Sequence, residues 1–154
     1  MEGKRVADSK ITLTQVMNVT DANILGNVHG GILMKISDEA GGIAAVRHAS
    51  RPVVTVTVDS MSFHSPVHIG NLLQVSAAVT WVGRTSIETR VVVTAEDVIR
   101  GEVSHTNTAF FVYVALDEKG RPTPVPPLIC ETDDEKRRFE EGALRRARRL
   151  NERP

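Results

Sequence analysis

From Val28 to His48 the chain contains no proline, and Ile32, Leu33, Ile36, Ala40, Ile43 and Ala44 recur at steps of three and four residues. That spacing is the period of a helix with one buried stripe, and a helix of this length is about 30 Å long. Ala40, Gly41, Gly42, Ala44 and Ala45 crowd its second half. Each glycine inside a helix costs about 1 kcal/mol relative to alanine, a cost that is offset where another backbone must approach closely. The segment therefore predicts one long helix around which a sheet can wrap.

The rest reads as sheet. Ile11, Leu13, Gln15, Met17 and Val19 alternate in the manner of an opening strand with one buried face. After Pro52 come four segments rich in Val, Thr, Ile and aromatics, at about 53–63, 72–82, 85–96 and 103–116. Gly70-Asn71 and Gly83-Arg84 are two-residue turn candidates in which glycine can take a positive φ, and 96–101 suits a longer hairpin loop. Short connections give antiparallel neighbours, so the fold class is α+β, an antiparallel sheet of about five strands wrapped around one long helix. Val54, Val56 and Val58 would face away from Met61 and Phe63 in a continuous strand, leaving apolar residues on both sides and implicating oligomerisation. Trp81 sits in an alternating strand as a core residue.

The proline-rich stretch 119–130 should run extended and ends a first domain at 1–130. Residues 131–154 form a charged C-terminal helix and tail. Thr132 and Glu135 make a capping-box pattern, with Asp133 and Asp134 in the favourable first turn. Phe139, Ala143, Leu144, Ala147 and Leu150 form a narrow stripe to dock on the sheet or on a partner, while Arg145, Arg146, Arg148 and Arg149 read as a solvated face.

Nineteen basic residues balance nineteen acidic ones, so no net field draws nucleic acid or an anionic membrane to the whole surface. The first ten residues lack an apolar signal region, and no run approaches the roughly 18 apolar residues of a membrane span. Cys130 is the single cysteine, so it forms no internal disulfide and supplies no zinc cage. His64 and His68 flank Pro66 without a clear ligand set. The expectation is a cytoplasmic protein with no metal.

Gly30 and Gly31 stand where the helix begins, and a helix start presents free N–H groups and the positive end of the dipole, suited to a developing oxyanion. Such a glycine pair also suits a tight loop-to-helix turn. Asp38 falls inside the helix on a face with Met34, Gly41, Gly42 and Ala45. A carboxylate in so small and apolar a setting can act as general base or nucleophile, although, taken alone, an exposed helical aspartate is the more ordinary reading of the position.

Asp21-Ala22-Asn23-Ile24-Leu25-Gly26-Asn27-Val28-His29-Gly30-Gly31, continuing to Asp38 and Gly42, resembles the signature of the hotdog-fold acyl-CoA thioesterases of the brain acyl-CoA hydrolase type. Val82-Gly83-Arg84-Thr85-Ser86, Gly101-Glu102, His105-Thr106-Asn107-Thr108-Ala109-Phe110, Val114-Ala115-Leu116-Asp117, Pro124 to Leu128 and Glu131-Thr132 are similar in order and spacing, so that the likeness covers about 11–140. It implies a hotdog fold, hydrolysis of fatty acyl-CoA to fatty acid and CoA, and a catalytic pair of Asn23 and Asp38 contributed by different chains of a homodimer, three of which form a hexamer. Read from the residues, Gly30 and Gly31 would bind the oxyanion, with His29 beside them as a substrate contact or a structural loop residue; Gly83, Arg84, Thr85 and Ser86 offer amides, a guanidinium and hydroxyls for CoA, and His105, Thr106 and Asn107 would line its channel or satisfy buried backbone groups. Coenzyme A enters as part of substrate and product, with no separate cofactor. Asp38 would activate a water or attack the carbonyl itself, and the resemblance does not choose between them. A hotdog dehydratase using His29 and Asp38, and a non-catalytic acyl-CoA-binding module, are the competing readings.

Overall fold

The computed structural model describes residues 1–59 and 61–153. Five strands form one antiparallel sheet: β2 (Ile11–Val16), β3 (Val53–Asp59), β4 (Leu72–Val82), β5 (Ser86–Asp97) and β6 (Glu102–Ala115), in the order β2-β4-β5-β6-β3. The long helix α2 (Gly30–Ala49) packs against one face of the sheet, which is the hotdog architecture expected. Two short elements precede β2, the pair β1 (Lys4–Arg5) and α1 (Val6–Ser9), and β1 runs parallel to β7 (Leu128–Ile129) at the end of the proline-rich segment.

The core lies between α2 and the sheet. Leu33, Ile36, Ala40, Ala44 and Ala45 of the helix meet Leu73, Val75, Val79, Ile87, Val91, Val93, Ala109 and Phe111, all buried. Burying each large aliphatic side chain contributes about 1.5–3 kcal/mol. Of the expected helical stripe, Leu33, Ile36, Ala40 and Ala44 are buried and Ile32 is half-buried, but Ile43 is exposed. Gly41 supplies the close approach: a Cβ there would lie 2.6 Å from the Tyr113 hydroxyl and 2.7 Å from that of Thr89.

β3 is shorter than expected. It ends at Asp59, Ser60 lies outside the described residues, and Met61 and Phe63 belong to irregular backbone. Since β3 pairs with β6 and not with β4, it occupies the sheet edge. The β4–β5 turn also differs from expectation: Gly70 and Gly101 take positive φ, but Gly83 does not. A side chain at Gly83 would meet the Trp81 ring at 2.8 Å, so packing accounts for the glycine there.

The C-terminal helix α3 (Asp133–Asn151) has the expected capping box, with the Glu135 N–H donating to Thr132 Oγ1 at 3.1 Å. Its docking overturns the expectation of a solvated arginine face. Arg145 donates two hydrogen bonds to the fully buried Glu88, Nη2 to Oε1 at 2.8 Å and Nε to Oε2 at 2.9 Å. The Arg145 guanidinium also stacks 3.6 Å over the Phe110 ring, and Arg149 approaches Asp59 at 3.4 Å. Leu144 and Leu150, the expected apolar anchors, are exposed, and Gly142 is the buried residue, against Trp81. A charged helix can cover the sheet because its arginines find carboxylates rising from it. Among the described residues no helix is long and apolar enough to cross a membrane.

Candidate active site

Asp38 lies where α2 passes the C-terminal end of β6, beside the edge strand β3. Thr55 and Tyr113 are directly opposed residues of β3 and β6, which puts their side chains on the same face. Both hydroxyls converge on one carboxylate oxygen: Thr55 Oγ1 donates to Asp38 Oδ1 at 2.8 Å and the Tyr113 hydroxyl at 3.0 Å. The phenol proton is shared with the Asp38 backbone carbonyl, also at 3.0 Å. Burial, then the negative charge of Asp38 and the hydrogen bond to it, push the Tyr113 hydroxyl well above its ordinary pKa, with Thr89 opposing. Tyr113 is therefore a protonated donor. Asp38 also borders an open hollow of about 610 Å³, lined on its apolar side by Gly42, Ile43, Val46 and Val53.

Asn23 sits in a tight loop ahead of α2. Its N–H donates to the Asn27 carbonyl at 2.7 Å, and its Oδ1 accepts from the N–H groups of Leu25 at 2.9 Å and Asn27 at 3.2 Å. This is an Asx turn, completed by Gly26 at φ +82°. The loop consumes Oδ1, while Nδ2 makes no hydrogen bond among the described residues. Ile24 and Leu25 project into solvent at its tip. His29, exposed, is the N-cap of α2, and its carbonyl accepts from Ile32 and Leu33. The N–H groups of Gly30 and Gly31 make no hydrogen bond among the described residues. Gly30 lies beside the Phe63 ring, and the space beside Gly31 is open.

The eight helical steps from Gly30 to Asp38 span about 12 Å, so the free amides and the carboxylate of one chain do not meet at one carbonyl carbon. The other expected site residues divide the same way. Gly83, Arg84, Thr85 and Ser86 form the β4–β5 turn; the turn lies at the Tyr113 end of the sheet, since Ser86 pairs with Val114 and the Thr85 carbonyl accepts from Ala115. Arg84 is exposed and Ser86 buried. His105, Thr106 and Asn107 lie toward the other end of β6, roughly 20 to 26 Å from Tyr113 at about 3.3 Å per residue. There the Thr106 carbonyl accepts from His64, and the His64 and His105 rings stack at 6.1 Å. His105 is exposed, whereas Thr106 and Asn107 are fully buried with no partner for their side-chain polar atoms among the described residues.

Thr55 and Tyr113 were absent from the sequence reading of the site. For Thr55 a partial signal existed in the alternation of threonines and valines from Val54 to Val58, although Thr55 is exposed along with Val54, Val56 and Val58 and only Thr57 is half-buried. For Tyr113 there was none, because it continues the apolar run of Phe110, Phe111 and Val112. Among the described residues no group of three or more His, Cys, Asp or Glu is placed to hold a metal.

A model of the thioesterase superfamily matches residues 25–102. Cytosolic acyl coenzyme A thioester hydrolase of Rattus norvegicus is 39% identical over 143 residues, which cover 92% of this chain but 38% of the rat protein. A crystal structure of an apo-hexameric acyl-CoA thioesterase superposes with a TM-score of 0.93 at 34% identity, covering 98% of this chain and 97% of that one. The acyl-CoA hydrolase of Staphylococcus aureus, solved with butyryl coenzyme A, coenzyme A and coenzyme A disulfide, gives 0.86 at 32%, covering 96% and 93%. That protein has also been solved with alanine replacing an aspartate, an asparagine and a threonine. With this fold, this loop-to-helix run and these likenesses, the chain belongs to the thioesterase superfamily, in its hotdog-fold acyl-CoA thioesterase group.

Proposed function

We propose that this chain hydrolyses fatty acyl-CoA to free fatty acid and CoA at sites shared between two copies of itself. The reading is carried by the separation of the two half-sites. One half is Asn23 with the free amides of Gly30 and Gly31, and the other is Asp38 held by Thr55 and Tyr113. The two are about 12 Å apart along one helix, so a thioester that touches both does so across a dimer. Val54, Val56 and Val58 exposed on the edge strand β3, and Met34, Ile43 and Val46 exposed on α2, leave apolar side chains for a second copy to cover. The asparagine, aspartate and threonine replaced in the S. aureus enzyme fall at the same intervals as Asn23, Asp38 and Thr55.

In this reading the thioester oxygen faces the Gly30 and Gly31 amides, which stabilise the tetrahedral oxyanion. Asp38 of the partner chain takes a proton from water as it adds to the carbonyl carbon, or adds to that carbon itself to give an anhydride that water then opens. The C–S bond breaks and the CoA sulfur leaves as a thiolate, which takes up a proton, from Asp38 in the general-base route and from water in the anhydride route, so that free thiol and the Asp38 carboxylate result. Asn23 positions water or carbonyl through its free Nδ2. The hollow beside Asp38 receives the acyl chain, and CoA lies along His105 to Asn107 on one chain and Gly83 to Ser86 on the other. The assembly is a hexamer of three dimers, in a cytoplasmic protein that neither enters membranes nor binds nucleic acid.

The test is release of free thiol from acyl-CoAs between acetyl and palmitoyl, with dehydration of a 3-hydroxyacyl-CoA as control. Asp38→Ala should abolish thiol release while leaving fold and oligomer size intact. Full activity in that variant would sink the assignment.

A further inference from the structure

Asp38 is half-buried on the helix face that borders the hollow, and its two carboxylate oxygens are in different situations. Oδ1 accepts from Thr55 and from Tyr113, whereas Oδ2 makes no hydrogen bond among the described residues. Two donors from opposed strand positions on one oxygen fix the rotation of the carboxylate about its Cβ–Cγ bond. They are unequal donors. Thr55 stands on an exposed edge strand, while Tyr113 is 1% exposed and stacks 6.3 Å from Phe111 inside the core. The phenol is enclosed further by Gly41 and Thr89, since a Cβ at position 41 would lie 2.6 Å from the Tyr113 oxygen and 2.7 Å from the Thr89 hydroxyl. The helix thus accepts glycine at this point to let the phenol pass to the Asp38 carboxylate and carbonyl.

Because it rests on the reading that Asp38 carries the hydrolysis, this inference concerns how that carboxylate is aimed. We propose that Tyr113 is a positioning residue for thioester hydrolysis: its phenol, with the Thr55 hydroxyl, holds Asp38 by Oδ1 and keeps Oδ2 free to meet water or the thioester carbon. Tyr113 itself exchanges no proton with substrate. Gly41 is the second part of the device, since its missing side chain is the space the phenol occupies.

The experiment uses the assembled protein with Tyr113→Phe, which removes the hydroxyl and keeps the ring. Turnover of one acyl-CoA is measured together with KM, CoA affinity, melting temperature and oligomer size. A misaimed reacting group costs up to about 100-fold, so kcat should fall about 10- to 100-fold with KM and CoA affinity within about twofold of the parent. An unchanged kcat overturns the proposal, and so does a loss carried by KM or by melting temperature alone. Gly41→Ala supplies an independent arm, because it displaces the phenol while retaining Tyr113. It should lower kcat in the parent and add little to the loss in Tyr113→Phe, and equal losses in both backgrounds would count against the mechanism. An active Asp38→Ala would remove the functional reading itself, whereas an inactive Asp38→Ala beside a fully active Tyr113→Phe removes only this inference.

Discussion

Thr55 Oγ1 lies 2.8 Å from Asp38 Oδ1, joining the edge strand β3 to the central helix. The strand bulges immediately after this residue: Thr55 pairs with Tyr113 and Thr57 with Val112, leaving Val56 as the extra residue. The bulge locally redirects the strand next to the carboxylate it serves. A hydrogen bond to a charged group contributes about 1.5–3 kcal/mol, and about 1.4 kcal/mol corresponds to tenfold in rate. Thr55→Ala should therefore reduce kcat about tenfold or more while preserving the oligomer, as read by thiol release and gel filtration. A parent-like kcat would mean that the contact does not serve the reaction.

Sharing of the site between chains can be read by mixing. Asn23→Ala and Asp38→Ala homomers should each be inactive, and refolding them together should restore activity, because one of the two sites in a mixed dimer is then complete. Absence of any recovery in mixtures that demonstrably form heterodimers would place both residues in one chain's site.

Glu88 and Arg145 fasten α3 to the back of the sheet. Glu88 is fully buried, also accepts from the Thr80 hydroxyl at 2.7 Å, and adjoins Thr89, whose side chain lies on the opposite face beside the Tyr113 phenol. Removing one partner of a buried ion pair costs about 3–5 kcal/mol, because the other charge is left without compensation. Arg145→Ala should destabilise the fold by up to that amount in urea unfolding, since Arg149 still stands 3.9 Å from Glu88. The double replacement Glu88→Leu with Arg145→Met should recover much of the loss, since neither charge then remains buried alone. A double variant no more stable than Arg145→Ala would assign the effect to packing on Phe110 instead.

His48 gives the fold an acid-sensitive point. Its ring is buried, Nε2 donates to the Pro126 carbonyl at 2.7 Å, and Nδ1 has no partner among the described residues. Burial, the largest effect, holds its pKa below the ordinary 6.5. Above pH 6.5 the ring is neutral in both folded and unfolded chains and contributes no pH dependence. As pH falls below 6.5 the unfolded chain takes up a proton that the folded chain resists, so stability drops by at most about 1.4 kcal/mol per pH unit until the folded pKa is reached. Unfolding free energies at pH 7.5 and 5.5 should differ less in His48→Gln than in the parent. Equal differences would remove His48 as the cause.

What the sequence by itself determined is what depends on local period and local turn chemistry. The long helix followed from apolar steps of three and four and from small residues at Ala40 to Ala45; the strands followed from alternation, and the α3 cap from Thr132 and Glu135. The run from Asn23 to Asp38 stood out through its family pattern, and the fold contains there a loop whose Asn23 Nδ2 makes no hydrogen bond among the described residues, ahead of a helix start with free N–H groups.

Tertiary structure alone decided which side chains bond to Asp38 and which arginines pair with carboxylates of the sheet. Thr55 lies 17 positions from Asp38 and Tyr113 lies 75 away. Whether their hydroxyls meet one carboxylate oxygen depends on strand register and on how deeply the helix sits, which no local pattern encodes. Arg145 looked solvated for the same reason: its charge is compensated by Glu88, 57 positions away on the sheet. Periodicity reports which face of an element is apolar, but a charged or hydroxyl-bearing residue is placed by its partner, and the partner is chosen by packing.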